Sequence, residues 1–202
     1  MALIIIGMLL SYLIGSIPTA YIFVKVIAGI DIRKYGSGNV GATNAARVLG
    51  KWPAFFVLVL DIFKGIFVVT ILAGVFIARV DIAPELIKAA FGFCVVCGHV
   101  FNIFMQFKGG KGVATSAGVF IGVAPLAALV GAGCFLITVF FTRYVSLGSV
   151  IASVIIPFYM LVAKYPNSYI ILSAFVCIIV VAKHKANIKR LLTGTERKVF
   201  KK

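Results

Sequence analysis

The chain has 202 residues, of which 62% are hydrophobic and only 12% charged, well above the roughly 45–50% apolar share of ordinary soluble domains. So few charges exclude a soluble globular domain, and apolar runs this long and this weakly alternating exclude barrel strands of about 9–11 residues, leaving an all-α polytopic membrane protein. Twenty Lys and Arg against five Asp and Glu give a formal charge of +15, but the basic residues sit between apolar runs, which reads as topology signals and attraction to anionic lipid rather than nucleic-acid binding.

Residues 2–24 are long enough to cross a bilayer core, which needs about 20 apolar residues. Met1-Ala2 brings no basic region ahead of them, so no cleaved signal peptide is expected. Lys25 ends this run, and a polar loop over residues 31–51 follows. Residues 52–78 form the second span, interrupted by Asp61 and Lys64. An intramembrane charge costs about 2.5–3.5 kcal/mol on insertion scales. These two stand three apart on one helix face and read as an ion pair tying helices together. Residues 87–107 form the third span, with Lys88 near its start and His99 further in. Cys94 and Cys97 make a CxxC inside that apolar run with no second pair to complete a zinc site, and Cys134 and Cys177 are isolated, so packing is the expected role of all four.

Lys108-Gly109-Gly110-Lys111-Gly112 is the next polar break, and residues 112–142 then carry no charge. As a single helix that run would be about 46 Å long, against a core of about 30 Å. Gly122 and Pro125 offer a break, so two short helices, the fourth and fifth, are expected there. Residues 145–162 and 168–182 are the last two spans, and a basic tail covers residues 183–202. Seven crossings put the termini on opposite sides. With the N-terminus outside and the C-terminus cytoplasmic, sixteen basic residues fall inside and three (Arg79, Lys88, Lys164) outside, a strong positive-inside bias. No domain boundary or internal repeat interrupts the chain.

That topology gathers four polar segments on one face. The first is Gly36-Ser37-Gly38-Asn39-Val40-Gly41-Ala42-Thr43-Asn44, followed by Arg47. Its glycines let backbone approach a ligand, its hydroxyls and amides both donate and accept, and the guanidinium fork suits phosphate. The second, Lys108–Gly112, precedes a helix start, where free N–H groups favour an anion; Gly112 replaces the Ser or Thr that a Walker A loop needs. The third sets Ser146 and Ser149 on one helix face after Arg143, and the fourth does the same with His184 and Asn187. Each has a plainer reading taken alone: a flexible turn, topology lysines, helix-packing hydroxyls, a solvated histidine. Together they read as a cradle for oxyanions at the lipid edge. The five scattered carboxylates give no metal cluster, and no cofactor is expected.

Gly36–Asn44 with Arg47, Gly109-Gly110-Lys111-Gly112-Val113-Ala114-Thr115, and His184-x-x-Asn187-Ile188-x-Arg190-Leu191-x-x-Gly194-x-Glu196 resemble the three signature motifs of the PlsY family, the bacterial acyl-phosphate:glycerol-3-phosphate acyltransferases. The similarity runs over essentially the whole chain, in order; Asn102 departs from it, standing where the family usually has proline. The resemblance implies one integral-membrane acyltransferase domain over residues 1–202, in the bacterial inner membrane with its active site facing the cytoplasm. It implies transfer of a fatty acyl group from acyl phosphate to the sn-1 hydroxyl of glycerol 3-phosphate, giving lysophosphatidic acid and phosphate, the first acylation of phospholipid synthesis, with functional coupling to the enzyme that makes acyl phosphate.

The site residues expected on that basis are Ser37, Arg47, Lys111, His184 and Asn187 for catalysis. Gly36, Gly38, Asn39, Thr43, Asn44, Lys108, Gly109, Gly110, Gly112, Ser146 and Ser149 are expected to bind substrate. No His-x4-Asp motif is present, since Phe104 follows His99 and Lys189 follows His184 at that spacing. A substrate phosphate is therefore expected to take the hydroxyl proton, with Ser37 orienting groups rather than becoming acylated. A transporter for phosphate or organophosphates is the alternative, although transporters place polar sites near the midplane.

Overall fold

Each apolar run becomes helix, and the interruptions fall where proline or a charged turn stops it. In the computed structural model, which describes residues 1–199, α1 (Ala2–Gly15) and α2 (Thr19–Ala28) flank Pro18. The sequence suggested one unbroken segment ending at Lys25. Proline removes a donor and crowds the preceding turn, so the helix breaks there, resumes at Thr19 and runs on past Lys25 to Ala28. The carbonyls freed at the break are satisfied from other helices: Asn102 Nδ2 donates to Ser16 O at 2.6 Å and Lys64 Nζ to Ile17 O at 2.7 Å. Non-helical backbone at membrane depth persists only when protein supplies such partners.

An amphipathic helix, α3 (Ala42–Leu49), leads into α4 (Lys51–Phe67), a π-helical turn (Val68–Leu72) and α5 (Ala73–Ile77). Pro84 opens α6 (Pro84–Val100) at its first turn, where its missing N–H costs nothing. The long uncharged run splits at Pro125 into α7 (Val113–Val123) and α8 (Pro125–Thr142), followed by α9 (Val145–Val162), α10 (Asn167–Lys183) and α11 (Lys185–Leu192). Five stretches are long and apolar enough to cross a membrane: Ala2–Ala28, Lys51–Ile77, Pro84–Met105, Pro125–Thr142 and Val145–Val162. The pair α10 and α11, bent by 59°, supplies a sixth when taken as one span. Of the two helices expected to be short, only α7 is, at 11 residues. α8 has 18 residues, as many as α9, because Pro125 begins it and nothing polar stops it before Thr142.

With lipid outside, helices associate through close packing of small residues rather than by expelling water. A Cβ at Gly98 would lie 2.0 Å from Tyr12 O, and one at Gly118 would lie 1.9 Å from Ile62 O. Backbone therefore meets backbone where α6 crosses α1 and where α7 crosses α4. Between these helices and α10 lies a core that includes Val69, Phe91, Val95, Val119 and Val176. A second cluster (Ala20, Val24, Ile32, Ala45, Val57) seats the polar loop and α3 on α2 and α4. Phe140, Phe141 and Phe158 stay exposed, as residues bathed in acyl chains can. The expected pair forms: Lys64 Nζ lies 2.7 Å from Asp61 Oδ1, both nearly buried, and Thr19 Oγ1 also donates to Asp61 at 2.9 Å. The four cysteines are free and half-buried.

Candidate active site

The glycine-rich loop is shaped by its own last residue. Asn44, buried on the first turn of α3, accepts from Ser37 N at 2.8 Å and donates to Tyr35 O at 3.0 Å and Ile32 O at 3.4 Å. Its amide hydrogen-bonds the loop's backbone, so Asn44, expected from the sequence to bind substrate, shapes the loop. Gly36 must be glycine: its φ is +64°, and a Cβ there would lie 2.1 Å from Asn44 Oδ1. The arrangement leaves Ser37 and Thr43 exposed, with Asn39 half-buried. Arg47 stands one turn along α3 from Thr43, also exposed. Partial burial of the guanidinium, then repulsion from Arg197, lower its proton affinity, while Glu196 opposes them.

The second segment is laid against the end of α6. Gly109 N donates to Val100 O at 3.2 Å and Gly110 N to His99 O at 3.1 Å. Gly112 (φ +86°) then caps α7. Lys108 is exposed. Lys111 turns inward and its Nζ donates to Asn187 Oδ1. Burial pushes the Lys111 amine down to about 8; Glu196 works against that shift, and Arg190 and Arg47 add to it.

The third and fourth segments close on Glu196. Its Oε1 accepts from Ser146 Oγ at 2.7 Å and Asn187 Nδ2 at 2.5 Å, and its Oε2 accepts from Arg190 Nε at 2.6 Å. Burial favours its neutral form, but the bonds from Asn187, Ser146 and Arg190 outweigh that and hold the carboxyl below the usual range. Because an ionised carboxylate only accepts, Asn187 must turn its NH2 to Glu196 and its oxygen to Lys111. Ser149, by contrast, donates to Val145 O of its own helix at 2.9 Å.

His184, at the α10–α11 bend, is buried, with Nδ1 2.8 Å from Val180 O. A carbonyl can only accept, so Nδ1 carries the proton and neutral Nε2 is left as an acceptor. Burial, with Lys111 adding to it, pushes His184 down to about 4. Val199 N donates to Arg143 O at 2.8 Å, tying the tail to the α8–α9 turn.

Lys111, Asn187 and Ser146 therefore meet, with Arg47 and His184 within electrostatic reach. Glu196 and Arg190 complete the cluster. Sequence reasoning quoted those two in the third motif without giving them a place in the site; the available signal was a carboxylate amid fifteen excess positive charges. Among the described residues, no three of His, Cys, Asp and Glu gather as a metal site would require. Phe200, Lys201 and Lys202 of the expected tail lie outside the described residues.

The sequence profile of the glycerol-3-phosphate acyltransferase family matches residues 5–194. The chain belongs to that family. A glycerol-3-phosphate acyltransferase of Geotalea daltonii is 45% identical over 192 residues, 95% of each chain. One of Prochlorococcus marinus is 41% identical over 94% of each. Among solved structures, the fold is similar to PlsY, described as an integral membrane glycerol 3-phosphate acyltransferase. Its glycerol 3-phosphate form superposes with a TM-score of 0.89 at 36% identity, covering 96% of this chain and 94% of that one. Its lysophosphatidic acid form gives 0.85 at 34% identity over the same shares. The chain is thus an all-helical membrane enzyme of the PlsY type, and these likenesses do not favour the transporter alternative.

Proposed function

We propose that this glycerol-3-phosphate acyltransferase uses acyl phosphate as donor and acylates the sn-1 hydroxyl of glycerol 3-phosphate, releasing lysophosphatidic acid and phosphate. The observation that carries the reading is the meeting of Lys111, Asn187, Arg190 and Ser146 around Glu196, with Arg47 close by. Both substrates are phosphates, and a cationic, partly buried cluster of amide and hydroxyl donors suits them. Arg47 and Lys111 are the residues to neutralise the two phosphates. Ser37, exposed on the same loop, and Asn39, half-buried on it, are the groups to orient the carbonyl or the attacking hydroxyl.

In the reaction, the hydroxyl oxygen attacks the acyl carbonyl carbon, the bond from that carbon to the phosphate oxygen breaks, and phosphate leaves with the bonding pair. Donors fixed around the developing oxyanion and the departing phosphate lower the barrier. The hydroxyl proton passes to a substrate phosphate, whose second pKa of about 6 makes it a better base than His184 at about 4. His184 Nε2, an acceptor held by the Nδ1–Val180 bond, orients the hydroxyl.

Segments that meet at one site share one side of the membrane. The same reading therefore places residues 31–47, 108–112, 143–146 and the tail in the cytoplasm of a bacterial inner membrane, with the N-terminus outside. For Lys111 and Arg143 to share a side, the chain must enter and return between them, so α7, only about 16 Å long at 1.5 Å per residue, serves as the fourth of seven crossings within a single domain. Cysteines placed singly at Asp81 and Lys198 should be labelled from opposite sides of sealed vesicles.

The deciding assay supplies purified protein with glycerol 3-phosphate and, in parallel, acyl phosphate, acyl-CoA or acyl-carrier protein, following lysophosphatidic acid and phosphate. Turnover with acyl phosphate alone supports the reading; preference for either rival donor overturns the donor assignment. Flux of substrate into sealed liposomes without product would replace the reading altogether.

A further inference from the structure

Behind the glycine segment lies a buried polar chain that the reaction as described does not use. His99, 7% exposed near the end of α6, places Nδ1 3.2 Å from Thr115 Oγ1 on α7 and 3.8 Å from Asp61 Oδ1 on α4. Asp61 is held in turn by Thr19 at 2.9 Å and Lys64 at 2.7 Å, and Lys64 by Ile17 O at 2.7 Å. The ring is thus within hydrogen-bond distance of α7, with the carboxylate that Thr19 and Lys64 hold standing 3.8 Å away. Its other edge faces the glycine segment. A Cβ built on Gly110 would lie 2.2 Å from His99 Nε2 and 3.0 Å from both neighbouring ring carbons. Gly110 N meanwhile donates to His99 O at 3.1 Å. One residue therefore fixes Gly110 twice, by its carbonyl and by the Nε2 edge of its ring, and Lys111 is the next residue along.

We propose that His99 is a positioning residue for the acyltransferase reaction: held by Thr115 beside the Asp61 carboxylate, its ring edge is the floor on which Gly110 rests, setting the height from which Lys111 reaches Asn187 and a substrate phosphate. The inference rests on the assignment of Lys111 to phosphate binding made above. It accounts for one feature left over from the sequence. Position 110 is glycine because the ring occupies the space of a side chain. The ring touches no substrate in this scheme; it acts through the backbone of the loop.

A double-mutant cycle on His99→Ala and Gly110→Ala tests this, with KM for glycerol 3-phosphate, kcat and the thermal midpoint measured for all four proteins. Each single change is expected to raise that KM about tenfold or more, equivalent to about 1.4 kcal/mol of lost binding, with kcat within about threefold and every protein folded. A purely structural role would instead lower the folded fraction without moving KM. The double variant is expected to be no worse than His99→Ala, because the added methyl enters space the ring has vacated; contacting residues deviate from additivity in this way. An unchanged KM in His99→Ala, or KM effects that multiply in the double variant, would overturn the proposal. If His99→Ala does not survive purification, the same cycle with His99→Asn, which keeps a polar group below the loop, decides it on the same criteria. Failure of the wild-type protein to acylate glycerol 3-phosphate would be a failure of the functional reading. A normal wild type with an indifferent His99→Ala would sink the floor alone.

Discussion

Replacing Glu196 by glutamine is the sharpest probe of the cluster, because the change is nearly isosteric and removes only charge and one acceptor. In the wild type, both carboxylate oxygens accept, from Ser146, Asn187 and Arg190, at 2.5–2.7 Å. Glutamine must turn an NH2 toward at least one of those donors. A hydrogen bond to a charged group contributes about 1.5–3 kcal/mol. Arg190's side chain is 43% exposed, so water screens its share and the lower half of that range applies there. The bonds from Ser146 and Asn187 are better shielded. Freed from Glu196, the Asn187 amide can flip and present NH2 instead of oxygen to Lys111. A loss of about 2–3 kcal/mol in transition-state stabilisation corresponds to a fall of about 30- to 150-fold in kcat/KM. The same substitution removes the negative charge that supports Lys111's proton, so its amine should titrate below about 8. The assay is kcat/KM for glycerol 3-phosphate from pH 6 to 9, with folding checked by thermal midpoint. The expected result is the stated fall together with an alkaline limb displaced to lower pH. A folded variant with kcat/KM within about threefold of wild type and an unmoved limb would refute the reasoning.

Lys111 in the free wild type, at about 8, is charged below that pH and loses its charge as pH rises through it. KM for glycerol 3-phosphate should therefore climb above pH 8 by up to about tenfold per unit, as loss of one proton requires. Lys111→Arg, whose guanidinium stays charged, should lack that limb whatever its absolute activity. Asp61→Asn leaves Lys64 without its carboxylate among apolar helices and should cost about 3–5 kcal/mol of stability. The double change Asp61→Leu with Lys64→Leu should cost less than Asp61→Asn, as read by thermal midpoints in detergent. Gly118→Ala places a methyl 1.9 Å from Ile62 O, where only backbone can yield. Overpacking of that kind costs about 1–3 kcal/mol and should lower the midpoint by several degrees, with KM moved less than in Gly110→Ala; an unchanged midpoint would show that α4 and α7 are not in backbone contact.

The apolar helices, the break before Pro125 and the Asp61–Lys64 pair were legible because each is local: a hydropathy run, a residue without an N–H, two charges three apart. The break at Pro18 followed the same rule but was masked by the unbroken apolar composition around it. The length of α8 was misjudged because charge marks where a run ends, not how its residues divide between two helices. For the site, the sequence named the segments but not the division of labour within them. Asn44 looked like a ligand group, yet all of its amide bonds go to the backbone of its own loop. Glu196 closed the third motif without a role, and it organises three others.

What the sequence determined alone is that this is a helical membrane protein, since lipid admits only long apolar segments that satisfy their own backbone hydrogen bonds. Tertiary structure alone decided which polar groups face one another. Lys111 meets Asn187 across 76 residues, Ser146 meets Glu196 across 50, and Asn102 reaches Ser16 across 86. A hydrogen bond depends on distance in space to a fraction of an ångström, and no periodicity along the chain encodes it.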